Sequence, residues 1–170
     1  GKAIAEQFVA QGAYVIITDL LDDEGKNTAA ELGNAEFIHQ DVSDESSWKQ
    51  VIDQVVAKHG HLDILVNNAG VMGTEWGPQD PEHCSKDLWD KIHAINLDGV
   101  FLGCKYAIAA MKQQGGAIVN IASRSGIVGV PANSAYASSK AAIRNHTKSV
   151  ALYCAEQDYN IRCNSVAPAS

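Results

Sequence analysis

The 170-residue chain has no CxxC pair, no block of basic residues, no apolar run approaching 18 residues and no repeated or low-complexity segment. Each absence removes a class of function. The four cysteines, Cys84, Cys104, Cys154 and Cys163, are scattered through apolar or helical surroundings and read as buried free thiols in a reducing compartment, not as metal ligands. His59 and His61 flank Gly60 without a third ligand nearby, which is the pattern of a solvated helix end. Against 20 Asp and Glu there are 13 Lys and Arg, a formal charge of −7 that disfavours nucleic acid or an anionic membrane as partner. With no membrane-length apolar run and no signal-peptide pattern in the first residues, the expected location is the cytoplasm.

What is present is the composition of an ordinary globular chain, 46% hydrophobic and 19% charged, with enough length for one domain over 1–170. Two periodicities alternate along it. Helical spacing with a terminal glycine covers 2–12, where Ile4, Phe8 and Val9 fall on one face. A β-branched run at 13–19 has buried-strand length. Carboxylates open and a glycine closes the helix expected at 22–33, and a short strand follows at 35–41. A capped, acidic first turn begins the helix at 43–60, whose stripe is Trp48, Val51, Ile52, Val55 and Val56. Further strands are expected at 62–68, 116–122 and 160–167, and further helices from about 85 to 111 and from about 134 to 157. Alternating strands and helices with two-faced apolar strands predict an α/β fold, a parallel sheet covered on both sides in three layers.

Open sheets of this kind bind ligands at the carboxyl ends of their strands. Asp19, Asp41, the run Asn67-Asn68-Ala69-Gly70 and Ser123 all fall at such ends. Each alone can be a turn former, and their gathering on one edge is what suggests a site. In 133-NSAYASSKAAIRN-145, Tyr136 stands four residues before Lys140, which places phenol and ammonium on one helix face. A fixed positive charge favours the phenolate, making a proton donor or acceptor usable near neutral pH.

Taken together, "NNAG" at 67–70, "AINLDGVF" at 94–101, "IVNIAS" at 118–123 and "YASSK" at 136–140 resemble the short-chain dehydrogenases/reductases over essentially the whole chain. Ser123 precedes Tyr136 by thirteen positions, the spacing found in that family. The resemblance implies a Rossmann-like, doubly wound fold and a catalytic tetrad of Asn96, Ser123, Tyr136 and Lys140. Tyr136 would exchange a proton with a secondary alcohol or ketone while hydride passes to or from a nicotinamide. Lys140 would stabilise the phenolate and bond the nicotinamide ribose, Ser123 would hold the substrate oxygen, and the Asn96 amide would hold a water near Lys140. Asp19, followed by Leu20 and not by arginine, suits ribose hydroxyls better than a 2′-phosphate, so NAD is expected over NADP. Asp41 and Val42 would border the adenine. Asn68, Ala69 and Gly70 would pass the ribose, and Gly1 and Pro168 would complete the cofactor contacts.

Departures from the family pattern accompany these matches. The T-G-x-x-x-G-x-G turn is represented only by Gly1, and the strand expected before it, between those ending at Asp19 and Asn68, is not in the sequence. The chain stops at Ser170, and Pro168-Ala169 replaces the commoner Pro-Gly. A fragment of a longer enzyme, incomplete at both termini, is the expectation. Ile127, Val128 and Val130 either form an apolar wall suited to an alicyclic or steroid-like alcohol or belong to the core. A 3-oxoacyl carrier-protein reductase is the second reading, though the acidic surface offers little to an acidic carrier. A non-catalytic Rossmann-like scaffold is a third. Small residues including Ala107, Ala109, Ala110, Ala137, Ala141, Ala142 and Ala151 fall on helices that in relatives meet across subunits, implying a homodimer or homotetramer.

Overall fold

A computed structural model describes residues 1–169. The order is α1 (Lys2–Ala10), β1 (Val15–Asp19), α2 (Asp22–Leu32), β2 (Ala35–His39), α3 (Glu45–His59), β3 (Ile64–Asn67), α4 (Lys86–His93), α5 (Gly99–Met111), β4 (Gly116–Ile121), α6 (Ser134–Glu156) and β5 (Ile161–Val166). Local chemistry accounts for the boundaries. Asp44 caps α3 by accepting the Ser46 amide, and the helix stops where Gly60 takes φ of 84° and donates its N–H to the Val56 carbonyl. His59, in that last turn, bonds Glu36 at 3.0 Å, so the helix end is pinned to β2.

All strand pairs are parallel, as the two-faced apolar strands predict. They form two ribbons, β1–β2 and β3–β4–β5, in place of one continuous sheet. In register, Asp19 stands opposite His39, Asn67 opposite Asn120, and Ile121 opposite Val166, which puts the polar strand ends on a common edge. The facing edges of β1 and β3 do not pair, and a cavity of about 770 Å³ lies between them, bordered by Ile16, Thr18, Trp48 and Leu65. This break is where the family resemblance calls for a further strand.

The helices α1 and α2 pack with each other and with β1 and β2, while α3, α5 and α6 pack together and against β3 to β5. Val100, Cys104 and Met111 of α5, Ile118 of β4, Ile143 and Cys154 of α6 and Cys163 of β5 make the main core. Ala107 is fully buried in it, at 0% exposure, and so does not belong to the subunit face that its sequence pattern suggested. The helical stretch Lys86–Met111 is long and apolar enough to cross a membrane by composition. Its Ile92, Val100, Ala107 and Met111 are instead buried against the rest of the domain.

Candidate active site

Between α4 and α5 the helix widens into a π-turn, Ala94–Asp98, and Asn96 sits at its middle with 0% exposure. Such a one-residue widening rotates a side chain out of the helical register, a device common at functional sites. The Asn96 amide pairs with the Val71 backbone as a peptide would: Oδ1 accepts the Val71 N–H at 2.8 Å and Nδ2 donates to the Val71 carbonyl at 2.9 Å. The second Nδ2 proton goes to Ser139 Oγ at 3.1 Å. Both N–H groups are therefore occupied by protein acceptors. Its amide ties the loop after β3 to α6.

Lys140 is 4% exposed, and its Nζ donates to the Ile121 carbonyl at 2.8 Å, at the end of β4. Burial lowers its pKa from 10.5 to about 8. The ammonium lies 5.8 Å from the centre of the Tyr136 ring, as spacing of one helical turn predicts. A Cβ added at Gly70 would stand 3.2 Å from both Asn96 Oδ1 and Lys140 Nζ, so Gly70, Asn96 and Lys140 converge on one small volume.

Ser123 follows β4 in extended conformation, and its Oγ accepts the Ser125 N–H at 3.1 Å. The turn it opens lies on α6 beside Lys140, because a Cβ at Gly126 would come within 2.6 Å of the Lys140 carbonyl. Arg144 from the next turn of α6 clamps that turn through the Gly126 carbonyl at 3.0 Å. Pro168 joins the same wall by accepting the Arg124 N–H at 3.0 Å. Ile127 and Val128 are 58% and 46% exposed in this chain.

Toward β1, the residues expected to meet a dinucleotide fall into two sets. Gly1, Asp19, Val42, Asn68 and Ala69 all border the cavity between β1 and β3. Leu20, Asp41, Gly70, Tyr136, Lys140 and Pro168 are not part of its lining. The Asp19 carboxylate is exposed and accepts the Leu21 N–H at 3.1 Å. Asp41 is committed to Ser43, accepting from its N–H at 2.9 Å and its hydroxyl at 2.7 Å. Three side chains not singled out by sequence support the site. Asn67 and Asn120 join at 2.8 Å, and Asn120 continues to Thr147 at 2.9 Å, a buried polar ladder linking β3, β4 and α6. Ser139 bridges Asn96 to the Tyr136 carbonyl, to which it donates at 2.7 Å.

The profile of the family described as Enoyl-(Acyl carrier protein) reductase matches residues 1–170. An NADP-dependent (R)-specific alcohol dehydrogenase from Lentilactobacillus kefiri is 39% identical, over 99% of this chain and 67% of that protein. A 3-beta-hydroxysteroid dehydrogenase from Comamonas testosteroni is 38% identical, over 99% of this chain and 65% of that protein. A crystal structure of a short chain dehydrogenase from Mycobacterium smegmatis superposes with a TM-score of 0.91 at 29% identity, covering 99% of this chain and 70% of that one. The chain thus spans about two thirds of the length of these relatives. It belongs to the short-chain dehydrogenase/reductase family, oxidoreductases acting on CH–OH groups.

Proposed function

We propose that the protein interconverts a secondary alcohol and a ketone with NAD, and that the substrate is alicyclic or steroid-like. The observation carrying this reading is the Lys140 ammonium, buried beside the Tyr136 ring and anchored on the Ile121 carbonyl. An ammonium with one N–H fixed by a carbonyl keeps donors for other oxygens.

In this reading Tyr136 takes the proton from the substrate hydroxyl in oxidation and returns it to the carbonyl oxygen in reduction. Ser123 Oγ donates to the same oxygen and fixes its distance from the phenol. Lys140, anchored on the Ile121 carbonyl, keeps N–H groups that would bond ribose hydroxyls. Asn96 keeps the Val71 loop and α6 in register, so that Gly70 stays clear of the ammonium.

A dinucleotide fits the residues present. Gly1 and Gly70 pass neighbouring polar groups at distances that a Cβ would fill, and the carboxylate of Asp19 stands exposed at the end of β1. The nicotinamide supplies the hydride acceptor or donor. Asn68, Ala69 and Pro168 along the same edge would make the remaining contacts, and Val42 and Asp41 would border the adenine. Asp19 favours NAD, since a 2′-phosphate there meets like charge. The exposed Ile127 and Val128 beside Ser123 provide an apolar wall for a fused or cyclic carbon skeleton. An acidic surface argues against an acidic carrier protein as the substrate's bearer. The protein is soluble and cytoplasmic in this reading, and it assembles through α5 and α6, which expose Phe101, Leu152 and Tyr153.

The test is a panel assay of the intact enzyme with cyclohexanol, a hydroxysteroid and a short linear alcohol, each with NAD and with NADP. Turnover with the cyclic substrates and preference for NAD are expected. Absence of turnover with either cofactor, in either direction, would overturn the enzymatic reading.

A further inference from the structure

Gln79 is a polar side chain in a loop, yet it is only 2% exposed. Its backbone carbonyl, side-chain oxygen and side-chain nitrogen are all bonded. Its carbonyl accepts from the Ser134 N–H at 3.0 Å and from the Ser134 hydroxyl at 2.6 Å. Its Oε1 accepts the Tyr136 N–H at 3.2 Å, and its Nε2 donates to the Met72 carbonyl at 2.7 Å. The first backbone amides of a helix have no partner within the helix, and a capping side chain ordinarily supplies one. Here the cap residue, Asn133, makes no side-chain bond to the first turn of α6. Gln79 supplies the missing acceptors from 55 and 57 residues away.

We propose that Gln79 is a positioning residue that couples the loop carrying Met72 to the catalytic tyrosine. Through Oε1 it sets the first turn of α6 and so the origin of the Tyr136 side chain. Through Nε2 it fixes the Met72 backbone, whose side chain is 52% exposed on the loop that follows β3. A substrate that presses on this loop therefore bears on the residue that orients the phenol. The idea rests on Tyr136 being the acid/base group, and it separates into two halves because the two ends of one amide do different work.

Two variants of the intact enzyme separate those halves. Gln79→Glu keeps an oxygen acceptor for the Tyr136 N–H, in the place where a helix N-terminus welcomes negative charge, and turns the donor facing Met72 into an acceptor that meets its carbonyl oxygen. Gln79→Met keeps the approximate size and loses both. Expected for Gln79→Met is a fall in kcat on the order of tenfold or more, with KM for the alcohol raised and KM for the cofactor unchanged. Gln79→Glu should recover most of kcat while keeping the raised KM. Amide hydrogen exchange at Tyr136 should speed up in Gln79→Met and stay near wild type in Gln79→Glu. That readout needs no turnover, so it tests the link even if the proposed activity fails. The inference is overturned by kcat and KM both within about twofold of wild type in the variants, or by unchanged Tyr136 exchange in Gln79→Met. Should Gln79→Met not fold, Gln79→Glu decides alone: kcat lost as fully as substrate affinity contradicts the division of labour.

Discussion

At Lys140, burial makes the charged form of the side chain costly, and the pKa falls to about 8 from 10.5. Between those two values the unfolded chain holds more of this proton than the folded one, so this group's contribution to stability rises with pH across the window. Below about 8 the folded protein carries the ammonium at its full cost. A rate that needs that ammonium falls as pH rises through about 8. The pH profile of kcat/KM for ketone reduction should show this alkaline limb, and a profile flat to the ordinary lysine range would contradict it. Asp19→Ser removes the charge that opposes a 2′-phosphate and should shift the NAD to NADP ratio of kcat/KM on the order of tenfold toward NADP. An unchanged ratio would take cofactor choice away from Asp19. Tyr136, Lys140, Asn96 and Gly70 were legible in the sequence because motif and spacing carry them. Ser139 and Gln79 were not, because what they do consists of bonds to residues 43 and 57 positions distant.

Element by element, boundaries followed from capping chemistry. The helix expected at 43–60 is α3 at Glu45–His59, closed by Gly60 as the sequence indicates. Ser85 caps α4 by accepting the Leu88 N–H at 3.1 Å. Ser85→Ala should cost about 1 kcal/mol in urea unfolding; a loss under a few tenths would mean the cap is redundant. The π-turn at Ala94–Asp98 lies within what helical spacing from 85 to 111 reads as one element. Its cause is tertiary: Asn96 turns inward to pair with the Val71 backbone. Asn96→Ala leaves that N–H and carbonyl without their partner and should destabilise the fold by about 2 kcal/mol or more. Unfolding curves that coincide with wild type would show that the Val71 pairing contributes nothing.

For the molecule as a whole, alternation of strand and helix signals conveyed the parallel α/β architecture, and the break between β1 and β3 falls where the family resemblance placed a further strand. Exposed Phe101, Leu152 and Tyr153 on α5 and α6 predict assembly of copies, with light scattering of the intact enzyme giving a multiple of the monomer mass. A monomer at micromolar concentration would remove that interface. The most direct test of the account is Tyr136→Phe, with turnover of a cyclic alcohol and nucleotide affinity measured on the same preparation. Loss of turnover by roughly 10² to 10⁴, with affinity for the nucleotide retained, is the result predicted for an acid/base group that does not itself hold the fold. Turnover retained in that variant would contradict the central claim that Tyr136 moves the proton.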